Sequence, residues 1–244
     1  MGTHLNVSED ALWFDAFNSK WIVPYVTGSL TDDQGARMKE EFLACVRRHL
    51  ERMPDPDARW GWKIPPSIYL LPFFHGLYPH MKFIHVVRDG RDMAFSDNKN
   101  QLRNFGAHVL DHDAQSLLPP VQAGALWNTV NLRAAEYGEG ELKQRYLAVI
   151  FEELCRDPRP VIERMYRFLG APEHRSIDRL LSTIEWPSSI GRWRQQDPAV
   201  LADVQRVAEP GLKYFGYLEA AERWRQPPRQ EPRRWFDFRR FFQE

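Results

Sequence analysis

The chain has 244 residues, 43% of them hydrophobic, enough to enclose one substantial core and too few to require two. Its 33 Lys and Arg balance 33 Asp and Glu, so net charge gives no broad attraction for nucleic acid or an anionic membrane, and any anion site has to be local. Cys45 and Cys155 form neither a disulfide framework nor a zinc cluster, and no apolar run reaches the roughly 18 residues of a membrane span, so a cytoplasmic location is expected.

In chain order, Ser8 followed by Asp10, Ala11 and Leu12 predicts a short helix start. From Asp32 to Arg52, Met38, Phe42, Cys45, Val46 and Leu50 recur among charges at helical intervals, the pattern of an outer helix. Pro54 and Pro56 interrupt it, and WGWKIPP (60–66) reads as a short extended segment. IYLLPFFHGLY follows as a helix or turn against the core. KFIHVV is then a short strand ending at Arg88, whose apolar content predicts burial on both sheet faces. Beyond Gly90, RDMAFSDNKNQL predicts a helix with its N-terminal amides turned toward an anion.

Residues 106–120 read as a loop, and a helix is expected from Gln122 to Tyr137. RYLAVIFEEL supplies a second strand. In IERMYRFLG, Ile162, Met165, Phe168 and Leu169 make an apolar helical face that stops at Gly170. LADVQRVAEPGLKYFGY predicts a helix and a compact turn, and residues 222–244 form a basic, aromatic, proline-rich extension that reads as a docked tail with solvated arginines. The alternation of strand and helix predicts one α/β domain over residues 1–244. Its helices flank a parallel sheet in three layers, KFIHVV and YLAVIF are neighbouring or near-neighbouring strands, and binding residues sit at the strands' carboxyl ends.

The densest chemistry lies in RDGRDMAFS (88–96). Arg88 follows a strand and offers a planar fork of charged donors, and Ser96, eight residues on, adds a hydroxyl, so the two can converge on one phosphate. Asp89 and Asp92 suit N-terminal hydrogen bonding and the orientation of Arg91. The same segment is also compatible with a salt-bridged turn after any parallel strand. The scattered histidines present no short metal-ligand motif, so no metal is expected.

The RDGRDMAFS segment resembles the donor 3'-phosphate signature of the sulfotransferase family, and the resemblance continues through WGWKIPP, RYLAVIFEELCRDP, ERMYRFLG, SSIGRWR and PGLKYFGY. It implies a P-loop-like α/β fold, 3'-phosphoadenosine 5'-phosphosulfate as sulfuryl donor, and a small-molecule or carbohydrate acceptor carrying a hydroxyl or amine. It further implies that Arg88 and Ser96 hold the 3'-phosphate, that Phe151, where many members have tyrosine, lies near adenine, that Arg192 adds a phosphate contact, and that Lys63 lies near the transferring group. Pro65 stands where many small-molecule sulfotransferases carry a catalytic histidine, which turns attention to Glu9 as the acceptor's base, resembling the early glutamate of some carbohydrate sulfotransferases. Asp10 and His4 remain alternatives. The Ser/Thr-rich loop for the donor's 5' side, with its strand, is expected from a missing N-terminal segment or from a second copy in a homo-oligomer. The alternative function is a catalytically inactive nucleotide-binding relative.

Overall fold

The computed structural model describes residues 9–53, 55, 60–171 and 177–219; the readings on His4, Ser8 and the 222–244 extension lie outside these. Helix α1 (Glu9–Val26) is longer than its start signal suggests. It packs on α2 (Asp32–Glu51), whose first turn is closed by a capping box in which Thr31 Oγ1 accepts from the Gln34 amide and Gln34 Oε1 from the Thr31 amide. Glu41 of α2 ties the pair together by accepting from Lys20 Nζ and from Trp21 Nε1, the latter at 2.8 Å. A 3₁₀ turn (Pro65–Leu70) begun by consecutive prolines leads into α3 (Leu71–Leu77). Phe14, Phe17, Trp21, Phe42, Leu70 and Phe74 from these elements meet in an aromatic core, joined from further along the chain by Phe105.

Strand β1 (Phe83–Val87) is followed by α4 (Gly90–Ala94), α5 (Asn100–Val109), the single turn α6 (His112–Gln115) and the long α7 (Pro119–Tyr137). Strand β2 (Tyr146–Ile150) runs parallel to β1 in the register Phe83 with Tyr146 through Val87 with Ile150. After it come α8 (Phe151–Arg156), α9 (Pro158–Leu169), α10 (Ile177–Leu181) and α11 (Pro198–Tyr214). Gly170 ends α9 in the left-handed region at φ 67°, the stop that its position after FL predicts.

Among the described residues the molecule is mostly helical with this one two-stranded parallel sheet, an α/β arrangement in which the two expected strands are neighbours. The face carrying His85 and Val87 is covered by α7 and α11: Val87 packs with Trp127, Ala208, Leu212 and Tyr217. Helix α11 comes close to α7 because Gly124 and Gly211 present no side chain, and a Cβ at Gly211 would sit 2.8 Å from the Trp127 ring. Burial on both faces, expected from the apolar runs, is uneven on the other face, where Val86 is 48% exposed and its register partner Val149 is fully buried. The long helix expected from Arg91 is broken into α4 and α5. No helix among the described residues is long and apolar enough to cross a membrane.

Candidate functional site

The site is built where β1 ends. Trp127 of α7 donates its indole N–H to the Arg88 carbonyl at 3.0 Å, and the next amide, of Asp89, donates to Glu152 Oε1 at 3.0 Å. Tyr217 in turn donates its hydroxyl to Glu152 Oε2 at 2.8 Å and reaches the Val87 carbonyl at 3.0 Å. Both carboxylate oxygens of Glu152 are therefore engaged inside the protein. Burial pushes this carboxyl above its ordinary range, against the hydrogen bonds from the Asp89 amide and Tyr217. The carboxyl ends of β1 and β2 are thus pinned to each other and to the turn after α11.

Asp89 caps α4 by accepting from the Arg91 amide at 2.9 Å and grips the Arg91 guanidinium through both oxygens, at 2.9 Å to Nε and 2.7 Å to Nη2. Arg91 also donates to the Tyr217 carbonyl at 3.1 Å, lies over the Trp193 ring at 4.1 Å, and is only 2% exposed. It is a structural cation. Asp92 has a role that its sequence position does not announce: its buried carboxylate accepts from the Gly191 amide at 2.7 Å and the Trp193 amide at 3.2 Å, fastening the 188–194 loop beside α4. Burial raises its pKa, partly countered by those two amides. Gly191 holds φ 80°, the left-handed conformation the loop requires there.

This latch brings the loop to Arg88. Arg88 Nη2 donates to both the carbonyl and the hydroxyl of Ser189, each at 2.8 Å, and its guanidinium lies 5.2 Å from the Phe151 ring centroid. Arg192 Nε shares the Ser189 carbonyl at 3.3 Å, and its Nη1 reaches toward the Phe95 carbonyl at 3.5 Å, one residue before Ser96. Three of the sequence-predicted residues, Arg88, Phe151 and Arg192, therefore belong to one continuous set of contacts through Arg88 and Ser189; Ser96 follows Phe95 in sequence, and its hydroxyl accepts from the Asn98 amide. The helix-amide cradle expected after Gly90 is not what the structure offers. Helix α4 has five residues, and the amides of Asp89 and Arg91 are taken by Glu152 and Asp89.

Lys63 is exposed on the 60–66 segment, whose Trp60, Trp62 and Ile64 pack on the N-terminal aromatic core. No contact among the described residues joins it to Arg88. Glu9 is described only as the first residue of α1. The residues that sequence reasoning missed are Asp92 as the loop latch, Glu152 and Tyr217 as the strand-end clamp, and Lys99, whose ammonium folds back onto the Ala94 carbonyl. For Tyr217 the signal was present in the PGLKYFGY ending; for Lys99 there was none.

The set can hold a phosphate monoester. Arg88 Nε is buried without a hydrogen-bond partner among the described residues, and Arg192 stands beside Arg88 with a second planar fork, both held on the Ser189 carbonyl. The flat Phe151 face next to Arg88 suits a ring system attached to that phosphate. These features fit the 3' side of 3'-phosphoadenosine 5'-phosphosulfate.

The chain is similar in sequence to carbohydrate sulfotransferase 3 of Tetronarce californica, with 28% identity over 178 residues, covering 61% of this chain and 38% of that protein. The chain thus matches well under half of that relative's length. The profile described as the sulfotransferase family matches residues 17–175, more than half of the chain, from α1 to just beyond α9 and through the Arg88 signature. On that match, the chain belongs to the sulfotransferase family, whose members are transferases and whose implied donor is 3'-phosphoadenosine 5'-phosphosulfate.

Proposed function

We propose that the protein transfers a sulfuryl group from 3'-phosphoadenosine 5'-phosphosulfate to a hydroxyl or amine acceptor, with a carbohydrate as the first class to test because the matched relative is named for one. The observation that carries the donor half is the Arg88 fork, braced by Ser189 and beside Arg192 at the carboxyl end of β1. Its chemistry matches a 3'-phosphate, a group that ATP, ADP and adenosine 5'-phosphate lack. The acceptor's oxygen or nitrogen would bond to sulfur and lose its proton as the S–O bond to the donor's 5'-phosphate breaks, with adenosine 3',5'-bisphosphate as the leaving group. In this reading the protein's own residues hold and orient. Arg88, Ser96 and Arg192 bind the 3'-phosphate, and Phe151 packs on adenine. Lys63 stabilises charge near the transferring group, and Glu9 orients or deprotonates the acceptor.

The open edge of β1 and the exposed Val86 support a second part of the proposal: a further strand, bringing the loop for the donor's 5' side, completes the sheet from outside the described residues. A segment preceding this chain or a second copy in a homo-oligomer can supply it. The test is sulfated-product formation from labelled donor across carbohydrate, small hydroxyl and amine acceptors, comparing the 244-residue chain with a version extended upstream in the source reading frame. Faster transfer by the extended protein is the expected result. Rapid transfer by the 244-residue chain would overturn the need for a further strand. Donor binding without transfer to any acceptor class would favour a nucleotide-binding relative that has lost catalysis.

A further inference from the structure

A further cation, Lys99, stands near Arg192. Lys99 follows Ser96 by three residues, and the intervening turn is drawn tight where Ser96 Oγ accepts from the Asn98 amide at 3.3 Å. From there the Lys99 side chain folds back so that its ammonium donates to the Ala94 carbonyl. Arg192 reaches the adjacent carbonyl, of Phe95, from the opposite chain segment. Two cations from segments far apart in sequence thus converge on consecutive carbonyls immediately before Ser96. Of the acids nearby, Asp92 accepts from the loop amides and lies 3.9 Å from Arg88 Nη2, and Asp97 is exposed. Burial holds the Lys99 ammonium below the ordinary lysine range, with the Asp97 charge opposing and the Arg192 charge assisting that shift. An ammonium kept partly from water beside a like charge is a poor arrangement in isolation and a favourable one around a dianion.

We infer that Lys99 is a ligand-binding residue of this site, moving from the Ala94 carbonyl to a terminal oxygen of the same phosphate that Arg88 and Arg192 hold. This rests on the donor reading above and deepens it. Three cations match a phosphate monoester, which carries close to two negative charges at neutral pH. A nucleotide without a 3'-phosphate offers Lys99 nothing.

The test compares adenosine 3',5'-bisphosphate with adenosine 5'-phosphate by calorimetric titration of the wild-type chain, Lys99→Gln and Lys99→Arg. Glutamine removes the charge and keeps an N–H donor on a side chain one atom shorter. Lys99→Gln is expected to bind the bisphosphate about tenfold more weakly, to bind adenosine 5'-phosphate as the wild type does, and to melt at the wild-type temperature, with Lys99→Arg close to wild type. On the wild-type chain, the bisphosphate and not adenosine 5'-phosphate is expected to protect Lys99 from an amine-reactive reagent, a readout that needs no variant to fold. Unchanged bisphosphate affinity in Lys99→Gln, or an equal loss for both nucleotides with a lowered melting temperature, overturns the role of Lys99 alone. A wild-type chain that shows no preference for the bisphosphate overturns the donor reading and this inference with it.

Discussion

Ser189 braces Arg88 at the end of β1, and Asp92 fastens the loop that carries Ser189. Arg88 was legible in the sequence because a strand-ending arginine followed at eight residues by serine is a compact pattern. Asp92 was legible only as an acid near a helix start, since its partners, the amides of Gly191 and Trp193, lie about a hundred residues away. Asp92→Asn should therefore act through the loop. An asparagine can accept at one oxygen, but its amino group meets the other amide as a second donor, at a cost of about 1–3 kcal/mol. The expected outcome is a lower denaturation midpoint together with weaker nucleotide binding, because Ser189 and Arg192 are no longer held beside Arg88. Denaturant unfolding and titration of the same variant check both. Unchanged stability and binding would mean that the latch contributes nothing.

Among the elements, α4 depends on a close approach to α7. A Cβ at Gly90 would lie 2.4 Å from Trp127 Cε3, and that same indole holds the Arg88 carbonyl. Gly90→Ala should displace the ring and cost about 1–3 kcal/mol by overpacking, with a matching loss of nucleotide affinity because Arg88 loses its backbone anchor. Thermal melting and titration read the two effects. A variant with wild-type stability would contradict the packing described. The sequence pattern found α2, α7, α9 and α11 closely, because each carries a sustained apolar face or a clear stop. It read 91–102 as one helix where there are two. Ser96 accepts from the Asn98 amide and Asn98 Oδ1 from the Asn100 amide at 3.0 Å, so short polar side chains compete for the backbone hydrogen bonds a continuous helix would need. The polar SDN string was the overlooked signal. Lys63 is a different case: the resemblance implies a place near the donor, and its own segment shows only that Trp60, Trp62 and Ile64 beside it pack on the aromatic core.

For the molecule as a whole, the parallel pairing of KFIHVV with YLAVIF was readable from two apolar runs separated by helical sequence. The exposure of Val86, beside its buried register partner Val149, was not, because an apolar run says nothing of which neighbours are present to cover each residue. Inside the covered face, His85 joins both strands to α7: its ring nitrogens lie 2.9 Å from the Tyr146 hydroxyl and 2.9 Å from Asn131 Oδ1. Burial holds its pKa down at about 4, against a weaker upward pull from Asn131. The unfolded chain takes up this proton near pH 6.5, whereas the folded chain resists until about 4. Stability from this group is therefore complete above about 6.5 and is lost as pH falls toward 4. Asp92 and Glu152, raised by burial, act in the opposite sense, so the comparison is with His85→Gln, which should unfold with a shallower loss of stability between pH 6.5 and 4.5. Parallel pH profiles for the two proteins would contradict the assignment. The central claim is that the carboxyl end of β1 receives a 3'-phosphate, and calorimetric titration of adenosine 3',5'-bisphosphate into the wild-type chain and Arg88→Ala measures it most directly. The account predicts binding to the wild type and a loss of about 1.5–3 kcal/mol, roughly ten- to hundredfold, in the variant; equal affinity in the two proteins would contradict it.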